Sequence, residues 1–265
     1  MKRFWGNRME KLIAILIAAV VTNASCAMSN DIDGGDFQQN VNTDSLSGKT
    51  VAFVGDSISY GTNYLGGYGK LIQEQQGMIV TNPSRGGATI ARNVKWSADS
   101  DGYRPCLIDM VDSLDGEYDY IIIEGGINDF WNHTPIGELT AGFEGGYDET
   151  TLAGSMEGMF ARLKTEHSES KTGFVIMHDP FTYDAEGDFA PYYEMMKSAC
   201  EKWNVPCLDL YAQNNQHNGV NVRDAEMKKL YFESDDRPEG DGTHPNELGY
   251  QVMYVNPMVE WMKSI

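Results

Sequence analysis

The four residues of Val51–Val54 are all apolar, lead directly into Gly-Asp-Ser at 55–57, and are followed by another glycine at Gly61. This pattern predicts a buried strand that ends in a tight turn, with a serine hydroxyl at the carboxyl end of the strand. Ligands of open α/β sheets bind in the crevice beyond those carboxyl ends. Ser57 is therefore a candidate nucleophile, although a serine at this place is also a common cap of the helix that follows.

Strand-like and helix-like segments alternate along the rest of the chain. The further predicted strands are Met78–Asn82, Tyr118–Glu124, Phe174–Met177 and Pro206–Leu210. The predicted helices are Lys70–Gln76, Cys106–Leu114, Thr151–His167, Pro191–Trp203, Asp224–Phe232 and Glu247–Lys263. Because the strands lie too far apart in sequence for hairpins, they predict a parallel sheet covered by helices on both faces. We expect one α/β domain, a three-layer α/β/α sandwich with a five-stranded parallel sheet.

Polar loops that contain glycine follow three of these strands. The first is the Gly-Asp-Ser turn, the second is Pro83–Ile90 with the pair Gly86 and Gly87, and the third is Gly125–Phe130. The carboxyl ends of parallel strands meet at one edge of a sheet, so these loops should lie together. Paired glycines let a backbone N–H approach a ligand closely, although an ordinary glycine turn has the same sequence.

Asp241 and His244 lie in the loop before the last predicted helix. Their spacing lets the carboxylate accept the Nδ1–H of the imidazole, which leaves Nε2 free to take a proton from Ser57. The other histidines lack a comparable carboxylate and turn, and we expect them to be surface or structural residues: His133, His167, His178 and His217.

Four short blocks of the chain resemble the blocks of the SGNH (GDSL-type) hydrolase superfamily. They are Gly55–Ser57 with Gly61, Gly87–Ile90, Gly126–Asp129 and Asp241–Asn246. They occur in the order of that family and extend from about Val51 to the end of the chain, although Ile58 stands where the name-giving motif has leucine. The resemblance implies a flavodoxin-like α/β/α fold and a serine esterase that works through an acyl-enzyme.

The resemblance also implies a role for each site residue. Ser57 would be the nucleophile, His244 the base, and Asp241 the residue that orients the imidazole. The Ser57 N–H, the Gly87 N–H and the Asn128 side-chain amide would form the oxyanion hole. Such donors stabilise the negative charge of a tetrahedral intermediate.

Three further residues lie directly beside these site residues: Gly86, Asp56 and Asp129. Since Gly86 directly precedes Gly87, either glycine of the pair could donate the N–H to the oxyanion. By the same resemblance, Asp56 and Asp129 would mainly hold loops through hydrogen bonds.

No motif or spacing indicates a metal or a cofactor. The G-x-S-x-G elbow of α/β-hydrolases is absent around Ser57, and H-E-x-x-H, P-loop and complete G-x-G-x-x-G motifs are absent from the chain. Cys106, Cys200 and Cys207 show no Cys/His metal spacing, and we expect structural roles for them. Cys200 and Cys207 could pair in an oxidising compartment or remain buried thiols.

The first 25 residues predict an export signal. A basic start precedes the apolar run Leu12–Val21, which is too short to cross a bilayer comfortably, so a signal peptide is favoured over a retained membrane anchor. Cys26 follows small residues, as in a bacterial lipoprotein, and is the predicted site of acylation; ordinary signal-peptidase cleavage after Ala27 is the alternative. Residues 26–49 predict a flexible tether, and residues 50–265 the hydrolase domain.

The chain is strongly acidic, with a formal charge of −19. Removing residues 1–25, which hold four basic residues and one acidic residue, leaves about −22. Such a charge opposes binding to nucleic acid and to anionic membrane surfaces. We therefore expect an exported protein, whether secreted, periplasmic or at the cell surface, that meets a membrane only through a lipid anchor.

Exported proteins similar to this family often remove acetyl groups from polysaccharides, so we expect short-chain esters on carbohydrate as substrates. Aromatic residues that could stack on sugar rings are Phe130, Trp131, Tyr183, Tyr192 and Tyr193. All of them could equally belong to the core. Trp131 is the candidate substrate-binding residue, at the start of the long aromatic and glycine-rich segment Trp131–Glu149, which is suited to a pocket wall. The alternatives are a lipase or lysophospholipase, a glycan-binding lipoprotein without catalysis, and acyl transfer to a glycan instead of water.

Overall fold

The computed structural model describes residues 45–182, 186–213 and 219–265. The predicted leader and most of the predicted tether, including Cys26, lie outside the described residues. Tyr183 and His217 also lie outside them.

The five strands form one parallel sheet. They are β1 (Thr50–Val54), β2 (Ile79–Thr81), β3 (Tyr120–Glu124), β4 (Lys171–Ile176) and β5 (Cys207–Asp209). Their order across the sheet is β2-β1-β3-β4-β5, and each neighbouring pair is parallel. The predicted flavodoxin-like arrangement of a five-stranded parallel sheet is confirmed.

The central strands are apolar because both faces of the sheet are covered. Every residue of β3 is buried, and so is every residue of β1 after Thr50. Since successive side chains of a strand point to opposite faces, helices must pack on both sides. The edge strand β2 is more exposed: Ile79 and Thr81 are exposed and Val80 is half-buried.

Ten α-helices and one π-helical segment are present among the described residues. In chain order the α-helices are α1 (Ser57–Tyr60), α2 (Gly67–Gln76), α3 (Leu107–Asp112), α4 (Ile127–Trp131), α5 (Leu152–Glu166), α6 (Glu186–Trp203), α7 (Leu210–Gln213), α8 (Ala225–Phe232), α9 (Glu247–Tyr250) and α10 (Asn256–Ser264). Helices α3, α5 and α6 form one packed group, and α1, α2, α8, α9 and α10 form a second group around the π-helical segment. The sheet with its two groups of helices gives the expected sandwich.

The last predicted helix, Glu247–Lys263, is interrupted in the structure. A π-helical segment, Gln251–Val255, separates α9 from α10, and the N–H of Asn256 donates to the carbonyl of Gln251. Pro257 follows at the start of α10. Because proline has no N–H and its ring crowds the preceding turn, the regular bonding of an α-helix cannot continue through this point.

Two other elements begin earlier than predicted. Strand β4 begins at Lys171 rather than Phe174, because the backbone of Lys171 pairs with Tyr120 although its side chain is exposed. Helix α6 begins at Glu186 rather than Pro191, and Phe189 in this added turn is buried against Phe181 and other aromatic rings. Among the described residues, no helix is both long enough and apolar enough to cross a membrane.

Candidate active site

Ser57 is the first residue of α1, directly beyond the carboxyl end of β1. The N-cap of this helix is Asp56, whose carboxylate accepts the N–H of Ile58 at 2.9 Å. The alternative prediction, in which Ser57 is the cap, is therefore wrong, and the Ser57 hydroxyl is free for another partner. The helix ends after one turn at Gly61, whose φ of 87° suits glycine.

That partner is His244, which lies in the loop before α9. Its Nε2 is 2.9 Å from Ser57 Oγ, and its Nδ1 is 2.7 Å from Asp241 Oδ2. The structure thus brings together the three residues predicted to carry the chemistry. A carboxylate only accepts hydrogen bonds, so Nδ1 carries the hydrogen and Nε2 accepts the one from the serine hydroxyl.

The Asp241 carboxylate is held from several directions. Its Oδ1 accepts the backbone N–H groups of Thr243 at 2.9 Å and His244 at 2.8 Å, and Arg237 contacts Oδ2. Partial burial alone would raise the pKa of Asp241, but the hydrogen bonds from His244 outweigh it and hold that pKa well below its usual range. Asp241 is consequently ionised at neutral pH.

A second histidine, His178, is hydrogen-bonded to the loop that carries Asp241 and His244. His178 is buried after β4, and its Nε2 is 3.0 Å from the carbonyl oxygen of Gly242, between Asp241 and His244. Its Nδ1 is 2.7 Å from the hydroxyl of Tyr254 on the π-helical segment. A carbonyl oxygen can only accept, so Nε2 carries the hydrogen and Nδ1 accepts from tyrosine. Burial lowers the pKa of His178 to about 4, so the ring is neutral.

Gly87 occupies a tight turn in the loop after β2. The N–H of Ala88 donates to the carbonyl of Arg85 at 3.2 Å, and Gly87 has a φ of 75°, a value at this turn position that favours glycine. A Cβ on Gly87 would lie 2.8 Å from the ring of Trp96, whereas one on Gly86 would meet nothing within 4 Å. Only Gly87 is therefore required to be glycine.

The predicted oxyanion donors have different surroundings. Among the described residues, the backbone N–H groups of Ser57 and Gly87 have no hydrogen-bond acceptor. The Asn128 side chain, at the start of α4, donates to Ala88 O at 2.9 Å and to Asp56 Oδ2 at 3.1 Å. It therefore joins the first three loops, but both of its hydrogens are already directed at protein acceptors.

Two buried carboxyl groups hold these loops. Asp129 accepts the backbone N–H groups of Ile90 at 2.8 Å and Ala91 at 3.0 Å, which fixes the loop after β2 to α4. Burial raises the pKa of Asp129 to about 7 and that of Asp56 to about 6. Both aspartates make hydrogen bonds of the kind that the family resemblance implies.

The predicted aromatic candidates divide into two sets. Phe130 and Tyr192 pack edge-on against each other, and Tyr192 donates its hydroxyl hydrogen to Thr134 O, so both belong to the packed interior. Tyr193 is half-buried and is hydrogen-bonded to Asp209 at 2.6 Å. Trp131 is 45% exposed at the end of α4. Sequence reasoning missed Trp96, because only the fold brings it to Gly87.

The cysteines and acidic residues form no metal site in the part of the chain that the structure describes. No group there contains three or more His, Cys, Asp or Glu side chains arranged for an ion. Cys106 and Cys200 are buried and Cys207 is half-buried, all as free thiols. Burial raises the pKa of Cys106 to about 11, so this thiol is protonated at neutral pH.

Most of the chain matches the sequence model of a known protein family. Residues 53–252 match the sequence model of the GDSL-like lipase/acylhydrolase family. The chain belongs to this family. A comparison of the GDSL-family chain with curated proteins found no match.

Solved structures of similar proteins share the fold of this GDSL-family hydrolase. One crystal structure has 24% sequence identity and a TM-score of 0.65, covering 83% of this chain and 99% of that one. A protein from Lactobacillus plantarum has 20% identity and a TM-score of 0.60, with 82% and 96% coverage. A protein described as a GDSL-like lipase, from Bacteroides ovatus, has 17% identity and a TM-score of 0.58, with 83% and 100% coverage.

Proposed function

We propose that this GDSL-family hydrolase is a serine esterase with Ser57 as nucleophile, His244 as general base and Asp241 as its orienting partner. The observation that carries the proposal is the hydrogen-bonded series from Ser57 Oγ through His244 to Asp241, at 2.9 and 2.7 Å. This is the arrangement in which an imidazole of fixed tautomer takes the serine proton during attack.

In the first half of the reaction, Ser57 Oγ attacks the ester carbonyl carbon while its proton moves to His244 Nε2. The ionised Asp241 stabilises the imidazolium that forms. The backbone N–H groups of Ser57 and Gly87 donate to the oxyanion, and each such donor contributes on the order of 3 kcal/mol. Asn128 holds these two loops together and would add a third donor by sharing one of its hydrogens.

The second half releases the acid. When the tetrahedral intermediate collapses, His244 gives its proton to the leaving alcohol, and the acyl group stays on Ser57 as an ester. A water molecule then attacks this ester while His244 Nε2 takes its proton. The second intermediate returns the proton to Ser57 Oγ and frees the carboxylic acid, so the enzyme is unchanged.

For the substrate, we propose short-chain esters, above all acetyl esters, on carbohydrate outside the cell. The support is the resemblance to exported deacetylating proteins, the predicted export signal, and the exposed aromatic residues Trp96 and Trp131 near the Gly87 and Asn128 loops. Export with acylation of Cys26 belongs to the same proposal. Intact mass of the membrane fraction would test the acylation.

The first prediction concerns the nucleophile and the acyl chain length. Purified protein should release 4-nitrophenol from 4-nitrophenyl acetate, with kcat/KM falling steeply for the butyrate and octanoate esters. Ser57→Ala should lower kcat/KM by about 10³-fold or more, since the attacking oxygen is lost. The thermal melting temperature should stay nearly constant, because His244 is the hydrogen-bond partner that this hydroxyl has among the described residues.

Ser168→Ala, an exposed serine before β4, is the matched control and should retain full activity. Full activity in Ser57→Ala would contradict the proposed nucleophile. A preference for octanoate would instead favour a lipase. Glycan binding without turnover of any ester would favour the non-catalytic alternative.

A further inference from the structure

A short hairpin, Val94–Arg104, lies beside the loop of Gly87. Its two sides are joined by backbone hydrogen bonds of 2.7 and 3.3 Å, and Lys95 pairs antiparallel with Tyr103. Side chains alternate between the two faces of such a pair. Trp96 and Arg104 therefore share one face, and Tyr103 lies on the other.

The face with Trp96 and Arg104 is in contact with the Gly87 turn. Arg104 Nη1 donates to the carbonyl oxygen of Gly87 at 3.0 Å, and its guanidinium lies 4.4 Å from the centre of the Trp96 ring. A Cβ on Gly87 would meet the same ring at 2.8 Å. The indole is thus fixed directly against the turn whose N–H is the proposed oxyanion donor.

The Trp96 side chain is exposed to solvent although it contacts both Arg104 and the Gly87 turn. Trp96 is 47% exposed, and one face of its ring is covered by the guanidinium of Arg104. Within the described part of the chain, Arg104 has no carboxylate at ion-pair distance, and its guanidinium contacts the Gly87 carbonyl and the Trp96 ring. Because the ring is already ordered, a ligand that covers it causes little further loss of side-chain entropy, so this tryptophan is preorganised for binding.

The shape of this surface indicates what it binds. The wall of a pocket for an acyl chain would be enclosed, whereas Trp96 offers a flat, half-exposed ring on a hairpin. A pyranose ring presents an apolar face of C–H groups that can lie on such an aromatic surface. The hydroxyl groups at its rim remain in water, so no deep cavity is needed.

We propose that Trp96, supported by Arg104, is a stacking subsite for the sugar ring of a carbohydrate ester. The inference rests on the proposed esterase function for the position of the scissile ester, which would be near Ser57. In this proposal the alcohol part of the substrate is a sugar, and Trp96 recognises its ring.

The test compares the acetyl ester of a sugar, which is acetylated at all five hydroxyl positions but keeps its pyranose ring, with the acetyl ester of a simple alcohol that has no ring. Acetic acid released from glucose pentaacetate and from ethyl acetate is titrated at constant pH. Trp96→Ala should raise KM for glucose pentaacetate about ten-fold with kcat within two-fold, and should leave kcat/KM for ethyl acetate within two-fold. Trp96→Phe should retain most of the sugar-ester activity, because it keeps an aromatic face.

Tyr103→Ala is the matched control, since Tyr103 is 54% exposed on the opposite face of the same hairpin. Tyr103→Ala should leave kcat and KM unchanged for both substrates. Equal losses on both esters in Trp96→Ala would overturn the subsite, because they would indicate a damaged oxyanion loop. Unchanged KM for glucose pentaacetate would also overturn it.

Binding without turnover separates this inference from the esterase proposal. In Ser57→Ala, saturation-transfer NMR should detect bound glucose pentaacetate, and adding Trp96→Ala should lower the signal strongly at the same ligand concentration. If the wild type hydrolyses neither ester but this dependence on Trp96 holds, the subsite stands and the esterase proposal fails. If Ser57→Ala does not bind glucose pentaacetate, or binds it equally well with and without the Trp96 side chain, the proposed subsite is wrong. This holds whether or not the wild type hydrolyses esters.

Discussion

At the scale of single residues, the loop that carries Asp241 and His244 has its own scaffold. Asp241 fixes the backbone inside the loop through Oδ1 and orients the imidazole through Oδ2. The carbonyl between these two residues is in turn held by His178, a histidine with no direct contact to Ser57 in the structure. His178 is therefore a positioning residue in this proposal.

We predict that His178→Phe lowers kcat about ten-fold with KM within two-fold. Phenylalanine keeps the ring against Phe232 but removes both hydrogen bonds, so the Gly242 carbonyl and the Tyr254 hydroxyl lose their partner. A small shift of the loop weakens the alignment of the base without altering the binding surface. Steady-state kinetics on 4-nitrophenyl acetate measure the two constants separately.

Tyr254→Phe provides the comparison for that variant. It leaves the hydrogen bond from His178 Nε2 to the Gly242 carbonyl and removes the hydroxyl that donates to Nδ1, so the loss in kcat should be smaller. A His178→Phe protein with a lower melting temperature and wild-type kcat would show that His178 stabilises the fold and does not position the base.

At the scale of elements, the turn after β2 controls the geometry at Gly87. Its neighbour Gly86 differs in two ways: its φ is not positive, and a Cβ there would be in open space. The two glycines consequently offer a matched pair for testing which one the site needs.

We predict that Gly87→Ala lowers kcat/KM at least ten-fold and destabilises the protein by about 1–2 kcal/mol, a typical cost of a left-handed conformation for an L residue. The added Cβ must also displace Trp96. Gly86→Ala should leave both quantities nearly unchanged. Ester hydrolysis and chemical denaturation measure them; equal losses in the two variants would contradict a specific role for Gly87.

The elements that the sequence predicted best are those with long apolar runs. The strand Tyr118–Glu124 was predictable because a buried central strand must be apolar on both faces, and the structure keeps Tyr120–Glu124 of it. Asp241 and His244 were predictable because their contact is local, within one turn. The contact between His244 and Ser57 is long-range and depends on the topology of the sheet, which the four ordered blocks of the family resemblance imply.

Other features depend on contacts that no local pattern encodes. Trp96 meets Gly87 only because the 94–104 hairpin folds back onto the turn, and the Asp101-Gly102 pair in its sequence does not indicate that long-range contact. The π-helical segment arises from Pro257 in a helix that is otherwise amphipathic. The second bond of His178 requires Tyr254 from that same segment, so it could not be predicted before the irregular helix was known.

At the scale of the whole molecule, acidic residues are both on the surface and in the core. The chain has a formal charge of −19, and three carboxyl groups near the site are completely buried: Asp56, Glu124 and Asp129. Burial raises the pKa of each of them. A carboxyl group whose pKa is higher in the folded state than in the unfolded state makes folding less favourable as pH rises.

We predict that the melting temperature of the wild type falls between pH 5 and pH 8. For Asp129, the folded-state pKa is about 7 against an ordinary 3.8, so the native protein binds its proton more tightly and loses that advantage over this range. Asp129→Asn cannot ionise and should show a shallower fall, although it is less stable overall. Thermal melts at both pH values measure the slopes.

Asp115→Asn removes the same charge from an exposed position and should keep the wild-type slope. An identical pH dependence in Asp129→Asn and the wild type would contradict a raised pKa for the buried carboxyl. The comparison separates the effect of that one group from the general repulsion among surface carboxylates.

The distance along the chain between Ser57 and His244, 187 positions, has a consequence for how the protein comes into being. Ribosomes synthesise Ser57 187 positions before His244, so under the proposed mechanism a nascent polypeptide cannot cleave esters until His244 has left the exit tunnel and docked. A premature stop before residue 244 would leave the sheet and its serine without the proposed base. Under this proposal, activity requires a chain that extends at least through His244.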